Sequence, residues 1–492
     1  MPLFSLFTEF SIMSAFRFVA AAILSLALAA PAFAESASRT RLLSRPNPTK
    51  LGQTVKLVGE VDGLGGAPTG TVGFADGAIT LGAGPLSPYG AGQATLSMGG
   101  QHSCALPAAG GVSCWGRNDY GQLGDGTMVR RSSPVSVSGL PSDIVAISMG
   151  DGHSCALTSA GAVECWGWNQ VGQLGDGTYP NRSAPGVVTR LSSGVVAIAS
   201  GDVHSCALTS VGAVKCWGSN VAGQLGAGTP TYHRTPIGVT GLRSGVVAIA
   251  GGNQHSCALA TAGAVKCWGS NSHGQLGDGT TANRATPVAV PSLSSGVVAI
   301  TAGWGHSCAL TKAGAVVCWG DNSNGQIGDG TTTTRHTPVV VSGLTSGVVA
   351  IATGSNHNCA LKGNGAVLCW GSNQDGVLGD RTMTNRTTPV AVPGHTRGVV
   401  AIALGSDHTC VTISSGVVRC WGSDGLGQLG DGTFQRRRLA PKPIPGFTAL
   451  VRARGHLLTN SLAVGTHAVQ ASYPGDAAHT PSSGTQSLTV VP

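Results

Sequence analysis

Seven times along this chain a histidine, a cysteine and a second cysteine recur at one fixed spacing. The first cysteines are Cys104, Cys155, Cys206, Cys257, Cys308, Cys359 and Cys410, each 51 residues after the one before. The second cysteines, Cys114, Cys165, Cys216, Cys267, Cys318, Cys369 and Cys420, follow ten residues later. A histidine stands two residues before each first cysteine, from His102 to His408, and a tryptophan follows each second one, from Trp115 to Trp421. Three chemistries suit this set: disulfide formation, free buried thiols, or ligation of a soft metal by the His-x-Cys-x9-Cys group. Zinc sites usually bring four ligands with closer cysteine spacing, so no metal is expected. A bland role for the histidine is to satisfy backbone groups between neighbouring units. No nucleophile elbow, metalloprotease histidine pair or isolated carboxylate pair is present, so the chain is expected to be no enzyme and to need no cofactor.

The elements that must position these residues follow from the repeat itself. In the second copy, 144–148 and 153–157 read as strands, 159–161 as a tight hairpin, and 162–166 as the returning strand. A long polar loop then leads to a fourth strand near Val187 and Val188. The hairpin centred on Ala160 sets Cys155 and Cys165 across two antiparallel strands, within bridging distance. Seven disulfides, one per unit, are therefore expected. Charged residues make up only 10% of the chain and glycines number 76. This composition fits a turn-rich all-β protein, and small residues every few positions exclude long helices. Seven four-stranded units in tandem predict a seven-bladed β-propeller over residues 94–455.

The polar loop carries a second pattern. Asp125, Asp176, Asp278, Asp329, Asp380 and Asp431 are each followed six residues later by Arg131, Arg182, Arg284, Arg335, Arg386 and Arg437. The third copy alone has Ala227 and His233 at these places. Loss of both partners together points to an Asp–Arg pair inside each blade that pins the loop. The alternative is a ring of arginines holding an anion. The nearby Gly172-Gln-Leu-Gly-Asp-Gly-Thr178 lacks the Lys-Ser/Thr of a phosphate loop.

Strand directions alternate, so the loops before each histidine and after each Trp-Gly emerge on one face. That face holds most of the variation among copies. Arg117, Tyr120, Asp151, Trp168, Asp202, Trp304 and Asp321 are the candidate partner-binding residues, with Asp119 and Asp375 beside them. Trp168 and Trp304 stand where sister copies have small residues. They are either anchors for a protein partner or covers for a neighbouring blade.

Residues 1–34 read as a secretory signal: Arg17, an apolar run over 19–30, then Ala32-Phe33-Ala34 as a cleavage site. Met1 and Met13 are both candidate starts. No later run is long enough to span a membrane. Export would oxidise the cysteines, all 14 of which belong to the repeats. The product is expected to be extracytoplasmic, secreted or periplasmic, and monomeric. The formal charge is +8, but basic residues are scattered, with Arg436-Arg437-Arg438 the densest run, so no nucleic-acid footprint is expected.

The two flanks, 36–97 and 456–492, read as strands and turns with too few strands each to bury a core. Together they resemble a bacterial immunoglobulin-like repeat. The matching residues include Ser44-Arg-Pro-Asn-Pro48, Gly52-Gln-Thr-Val55, Pro68-Thr-Gly-Thr-Val72, Gly92-Gln-Ala-Thr-Leu96, Ser461-Leu-Ala-Val-Gly-Thr-His467 and Tyr473-Pro-Gly-Asp476. The resemblance implies one split sandwich with the propeller inserted into a surface loop. Either the segment near Ala94 or that over 447–453 is expected to close the ring.

The repeats are similar to those of the regulator of chromosome condensation family. The match rests on Val195-Val-Ala-Ile-Ala-Ser-Gly201, His153-Ser-Cys-Ala-Leu157, Gly161-Ala-Val-Glu-Cys-Trp-Gly167 and Gly172-Gln-Leu-Gly-Asp-Gly-Thr178, and on their sister copies. It implies a propeller acting through protein partners. The leading expectation is a secreted, non-catalytic binding or adhesion scaffold. The resemblance also raises guanine nucleotide exchange, the family's eponymous activity, and inhibition of an extracellular enzyme. A glycan-cleaving enzyme would need clustered acidic residues, which are not found.

Overall fold

The computed structural model describes residues 38–492 except 46, 64–67, 69, 89–94 and 478. The expected leader over 1–34, part of the turn after Gly63, and the start of the strand expected over 93–97 lie outside them.

Seven consecutive four-stranded sheets are present, each built from one stretch of chain. Blade 2 shows the plan: Ile144–Met149 innermost, then His153–Thr158, Val163–Gly167 and Arg182–Val187. All neighbours within it are antiparallel. The inner strands are rich in Val, Ala and Ile, whose β-branched or small side chains suit a tight pleated surface. The hairpin sets Cys155 opposite Cys165 in register.

The core lies between blades. One apolar cluster joins Cys155, Leu157, Val163, Cys165 and Leu174 of blade 2 to Ala207 and Trp217 of blade 3. The same wedge recurs from the last blade to the first: Ala403, Cys410, Val418 and Leu429 pack against Leu96, Met98 and Trp115. The ring is thus closed. Among the described residues Leu96–Met98 is the inner strand of blade 1, and the four strands of each blade come from one stretch of chain, with 448–450 adding a bridge and hydrogen bonds to 106–108 of blade 1. The segment over 447–453 does other work. Arg437–Thr448 ends as the outer strand of blade 7, and Val451–Thr459 leaves the ring.

Strands from the two flanks share two sheets. One holds Ser38–Arg45, Val55–Gly63, Val451–Thr459 and Ser87–Pro88. The other holds Thr49–Lys50, Ser482–Val491, Gly465–Tyr473, Thr71–Asp76 and Ile79–Pro85. Leu42, Leu57, Val72, Phe74, Val469 and Leu488 fill the space between them. The return begins at Val451, earlier than residue 456, because Val451–Thr459 pairs along its whole length with Val55–Gly63.

Candidate functional site

The constant residues of each repeat build the joints of the ring. His102 Nε2 lies 2.9 Å from Ser154 Oγ in the next blade. His153 reaches Ser205, His204 reaches Ser256, and His255 reaches Ser307 in the same way. His306 meets Asn358 Oδ1 and His357 meets Thr409 Oγ1. His408 completes the circle at Ser103 Oγ, 2.8 Å away. Each partner also donates back to the preceding blade: Ser154 Oγ to Gln122 O, Asn358 Nδ2 to Gln326 O, Thr409 Oγ1 to Val377 O. The partner's proton is spent there, so the ring Nε2–H is the donor in the joint. The same carbonyls accept the indole N–H of the next blade, as Gln122 O does from Trp166 at 2.9 Å. Serine, asparagine and threonine are interchangeable here because each offers a donor and an acceptor. That shared property, rather than identity, was the overlooked signal in the sequence.

Burial pushes five of these imidazoles down, to about 3 for His102, His153, His255 and His357 and about 4 for His204, and it lowers His306 against the bond from Asn358. These six are neutral structural donors. Their packing explains one glycine: a Cβ on Gly150 would stand 2.2 Å from the His153 ring and 2.5 Å from Gly201 O. All seven cysteine pairs form disulfides within their own blades, with Cα atoms 4.1 Å apart. The sulfurs are consumed and the histidines are turned to the next blade, so the three-ligand metal set is not assembled.

Five of the six expected loop ion pairs form as spaced: Asp125–Arg131, Asp176–Arg182, Asp278–Arg284, Asp329–Arg335 and Asp380–Arg386. The sixth is a correction. Asp431 pairs with Arg438, while Arg437 turns toward Asp375, 3.9 Å away. The register gives the reason: Gly371 faces Arg386, fifteen residues on, but Gly422 faces Arg438, sixteen on. The last loop carries one extra residue. In each pair one carboxylate oxygen is taken by the threonine two residues later, so the arginine addresses the other oxygen. Burial works to raise Asp278, but the bonds from Thr280 and Arg284 outweigh it and hold it below the usual carboxylate range. A buried asparagine completes the loop in blades 1 to 6, where Asn271 donates to Asp278 and accepts from the Leu276 amide; in blade 7 Asp424 takes its place and accepts from the Leu429 amide.

Replacing Asp278 with Ala should cost about 1 kcal/mol, the scale of a half-exposed pair. Amide exchange at Thr280 and Ala282 should accelerate while other blades stay protected. Arg438→Ala should loosen the last loop and Arg437→Ala should not; the opposite order would contradict the pairing.

The variable residues gather on the loop face. Arg117 bonds Asp119 at 2.9 Å and lies 5.2 Å over the Tyr120 ring. Tyr120 in turn packs against Trp168 of the next blade, 6.1 Å between centroids. Arg117, Tyr120 and Trp168 thus form one half-buried stack across blades 1 and 2, and Trp168 covers a neighbour as well as facing outward. Trp304 is the more open of the two, 45% exposed, with His273 of the preceding blade 5.7 Å away. Asp321 is not on the accessible face. It is buried, and its carboxylate accepts from Ser323 and from Gln326 Nε2 at 2.7 Å. Asp151 and Asp202 stand at corresponding places beside the central channel. Burial pushes Asp202 up to about 6, against the bond from Asn253, with Asp151 adding to the rise. Asp151 is raised by burial and by Asp407, opposed by Arg117. Among the described residues no His, Cys, Asp or Glu group is arranged to hold a metal, and no helix is long and apolar enough to cross a membrane.

Comparison with known proteins places this geometry. A family model for the RCC1-like domain matches residues 137–469, and models for the Regulator of chromosome condensation (RCC1) repeat match 109–157 and 94–122. The Ultraviolet-B receptor UVR8 of Arabidopsis thaliana is 32% identical over 377 residues, covering 75% of this chain and 85% of the receptor. The human E3 ubiquitin-protein ligase HERC2 is 33% identical over 344 residues, which span 67% of this chain but only 7% of that protein. Yeast RCC1 (Prp20), solved bound to Kap60, superposes with a TM-score of 0.62 at 23% identity, covering 75% of this chain and 90% of that one.

Proposed function

The chain belongs to the Regulator of chromosome condensation (RCC1) repeat family, and from that premise we propose that it is a non-catalytic protein-binding scaffold that works outside the cytoplasm. The observation that carries the reading is the contrast between the two sets of residues in each repeat. The histidines, tryptophans, cysteines and loop aspartates are spent on joints, staples and loops, whereas Arg117, Tyr120, Trp168 and Trp304 differ from copy to copy on one face. Aromatic and arginine side chains on a rigid support are the usual anchors of protein interfaces. UVR8 and yeast RCC1 supply the family context, the latter having been solved with a protein partner bound. Export is supported by the residues over 17–34 and by fourteen cysteines that all find partners. The two-sheet unit of the flanks is best read as a bacterial immunoglobulin-like mount that holds the ring by both ends.

The test is capture of envelope and culture-supernatant proteins by the purified chain. A specific protein should be retained, and Trp304→Ala should weaken its retention at least about tenfold, with Trp168→Ala having a smaller effect. The extracellular product should begin near Glu35. Retention unchanged in both variants, or a product confined to the cytoplasm, would overturn the reading. Accelerated nucleotide release from a small GTPase would favour exchange activity instead.

A further inference from the structure

The channel at the centre of the ring is a blind well. Its walls are the inner strands of all seven blades, and it encloses about 280 Å³. At the hairpin end Leu450, Val451 and Arg452, where the chain leaves the ring, lie among its lining residues. Arg452 is fixed there by Asp62 of the flanking sheets and by Val145 O, 3.0 Å away. At the loop end the mouth is lined by Gly100, Asp202, Trp304, Ser355 and Ser406. Asp151 borders it, since a Cβ on Gly100 would stand 1.9 Å from its carboxylate oxygen.

The mouth holds two carboxylates removed from bulk water, and among the described residues neither has an ion pair. The only hydrogen bond to the Asp202 side chain among those residues comes from the neutral amide of Asn253, at 2.5 Å. Burial disfavours the charge on both carboxylates, and a neighbouring carboxylate adds to each, Asp151 to Asp202 and Asp407 to Asp151, so the mouth calls for a cation. The exposed indole of Trp304 stands on the same rim and offers the face that attracts organic cations. The floor supplies an independent sign of an unfilled site. Thr412 lines the well, is 1% exposed, and its hydroxyl has no partner. The corresponding residue in blades 2 to 6 is a leucine, from Leu157 to Leu361.

We propose that this well binds an alkylammonium group at the mouth formed by Asp151, Asp202 and Trp304. The ammonium sits on a short aliphatic body that the apolar parts of the wall accept, and it comes either from a free amine or from a lysine of a bound protein. The proposal rests on the loop face being open, but its test needs no protein partner, so the two readings fail separately.

Calorimetric titration of the purified chain with 1,5-diaminopentane, with acetyl-Gly-Lys-Gly-amide and with 1,5-pentanediol decides it. At least one amine should bind and the isosteric diol should not. Binding of the diamine alone assigns a free amine, and binding of the peptide alone assigns a partner's lysine; either supports the site. Asp202→Asn and Asp151→Asn, checked for unchanged melting, should each weaken the amine at least about tenfold. Trp304→Ala should weaken it by roughly threefold or more. Equal binding of diol and diamine, no binding of either amine, or amine binding unchanged in both aspartate variants would overturn the proposal.

Discussion

Between pH 7 and pH 5 the folded protein should lose about 7 kcal/mol of stability, because the histidine joints must stay uncharged while the unfolded chain takes up protons. The sign follows from the depressed values. His102, His153, His255 and His357 titrate at about 3 and His204 at about 4 in the fold, against 6.5 in the unfolded chain. Their contribution is therefore complete above pH 6.5 and is lost as the pH falls toward the folded values. At pH 5 each ring costs about 2 kcal/mol, and five together about 10 kcal/mol. Carboxylates raised by burial, Asp151, Glu164, Asp202 and Asp424, work the other way, the last two most strongly. Burial raises Asp202 and Asp424 to about 6, so the fold gains their protons before the unfolded chain does. They return about 1.4 kcal/mol each at pH 5, which leaves the histidines ahead. A net loss of this size is comparable to the whole stability of an ordinary domain. Thermal melts from pH 7.5 to 4.5 should fall steeply below pH 6.5. His153→Gln, which keeps a donor but cannot titrate, should shallow the slope by about one proton. A flat profile down to pH 5 would refute the neutral joints.

Reduction of the disulfides should have the larger effect. Each bridge closes a small loop, with its cysteines ten residues apart. Each is worth about 2–3 kcal/mol through the entropy of the unfolded chain, so seven are worth about 15–20 kcal/mol if they act independently. Each staple ties two strands of one blade, and every interblade wedge leans on those strands through Cys155, Cys165 and their counterparts. Reduced chain should therefore unfold at room temperature or at much lower denaturant. Cys257→Ala with Cys267→Ala, by contrast, should lower stability by the share of one bridge and leave the ring closed. If full reduction leaves the denaturation midpoint unchanged, the staples are not structural.

What could be read from the sequence divides along a physical line. The hairpin at Ala160 fixes Cys155 against Cys165 by local geometry, and period alone fixes the number of blades. The Asp–Arg pairing was legible because one copy lost both partners together. It failed at Arg437 because one inserted residue shifts the register, and register in a long loop is set by the sheet it rejoins. The joint partners Ser103, Asn358 and Thr409 went unseen because the selection is on hydrogen-bonding capacity rather than on residue type. Asp321 was misplaced because a short carboxylate folds back to Ser323 and Gln326, whereas Arg117 at the matching place cannot. The blind end of the channel was hidden for another reason. The segment over 450–452 looks like one more inner strand, and only its pairing with Val55–Gly63 shows where it goes.

The central claim is that each repeat is a self-contained blade, stapled within itself and joined to its neighbours without covalent bonds. Peptide mapping of the unreduced protein by mass spectrometry tests it most directly. The account predicts seven linked pairs, from Cys104–Cys114 to Cys410–Cys420, with no free thiol. A bridge between cysteines of different repeats, or thiols left free in the native protein, would contradict it.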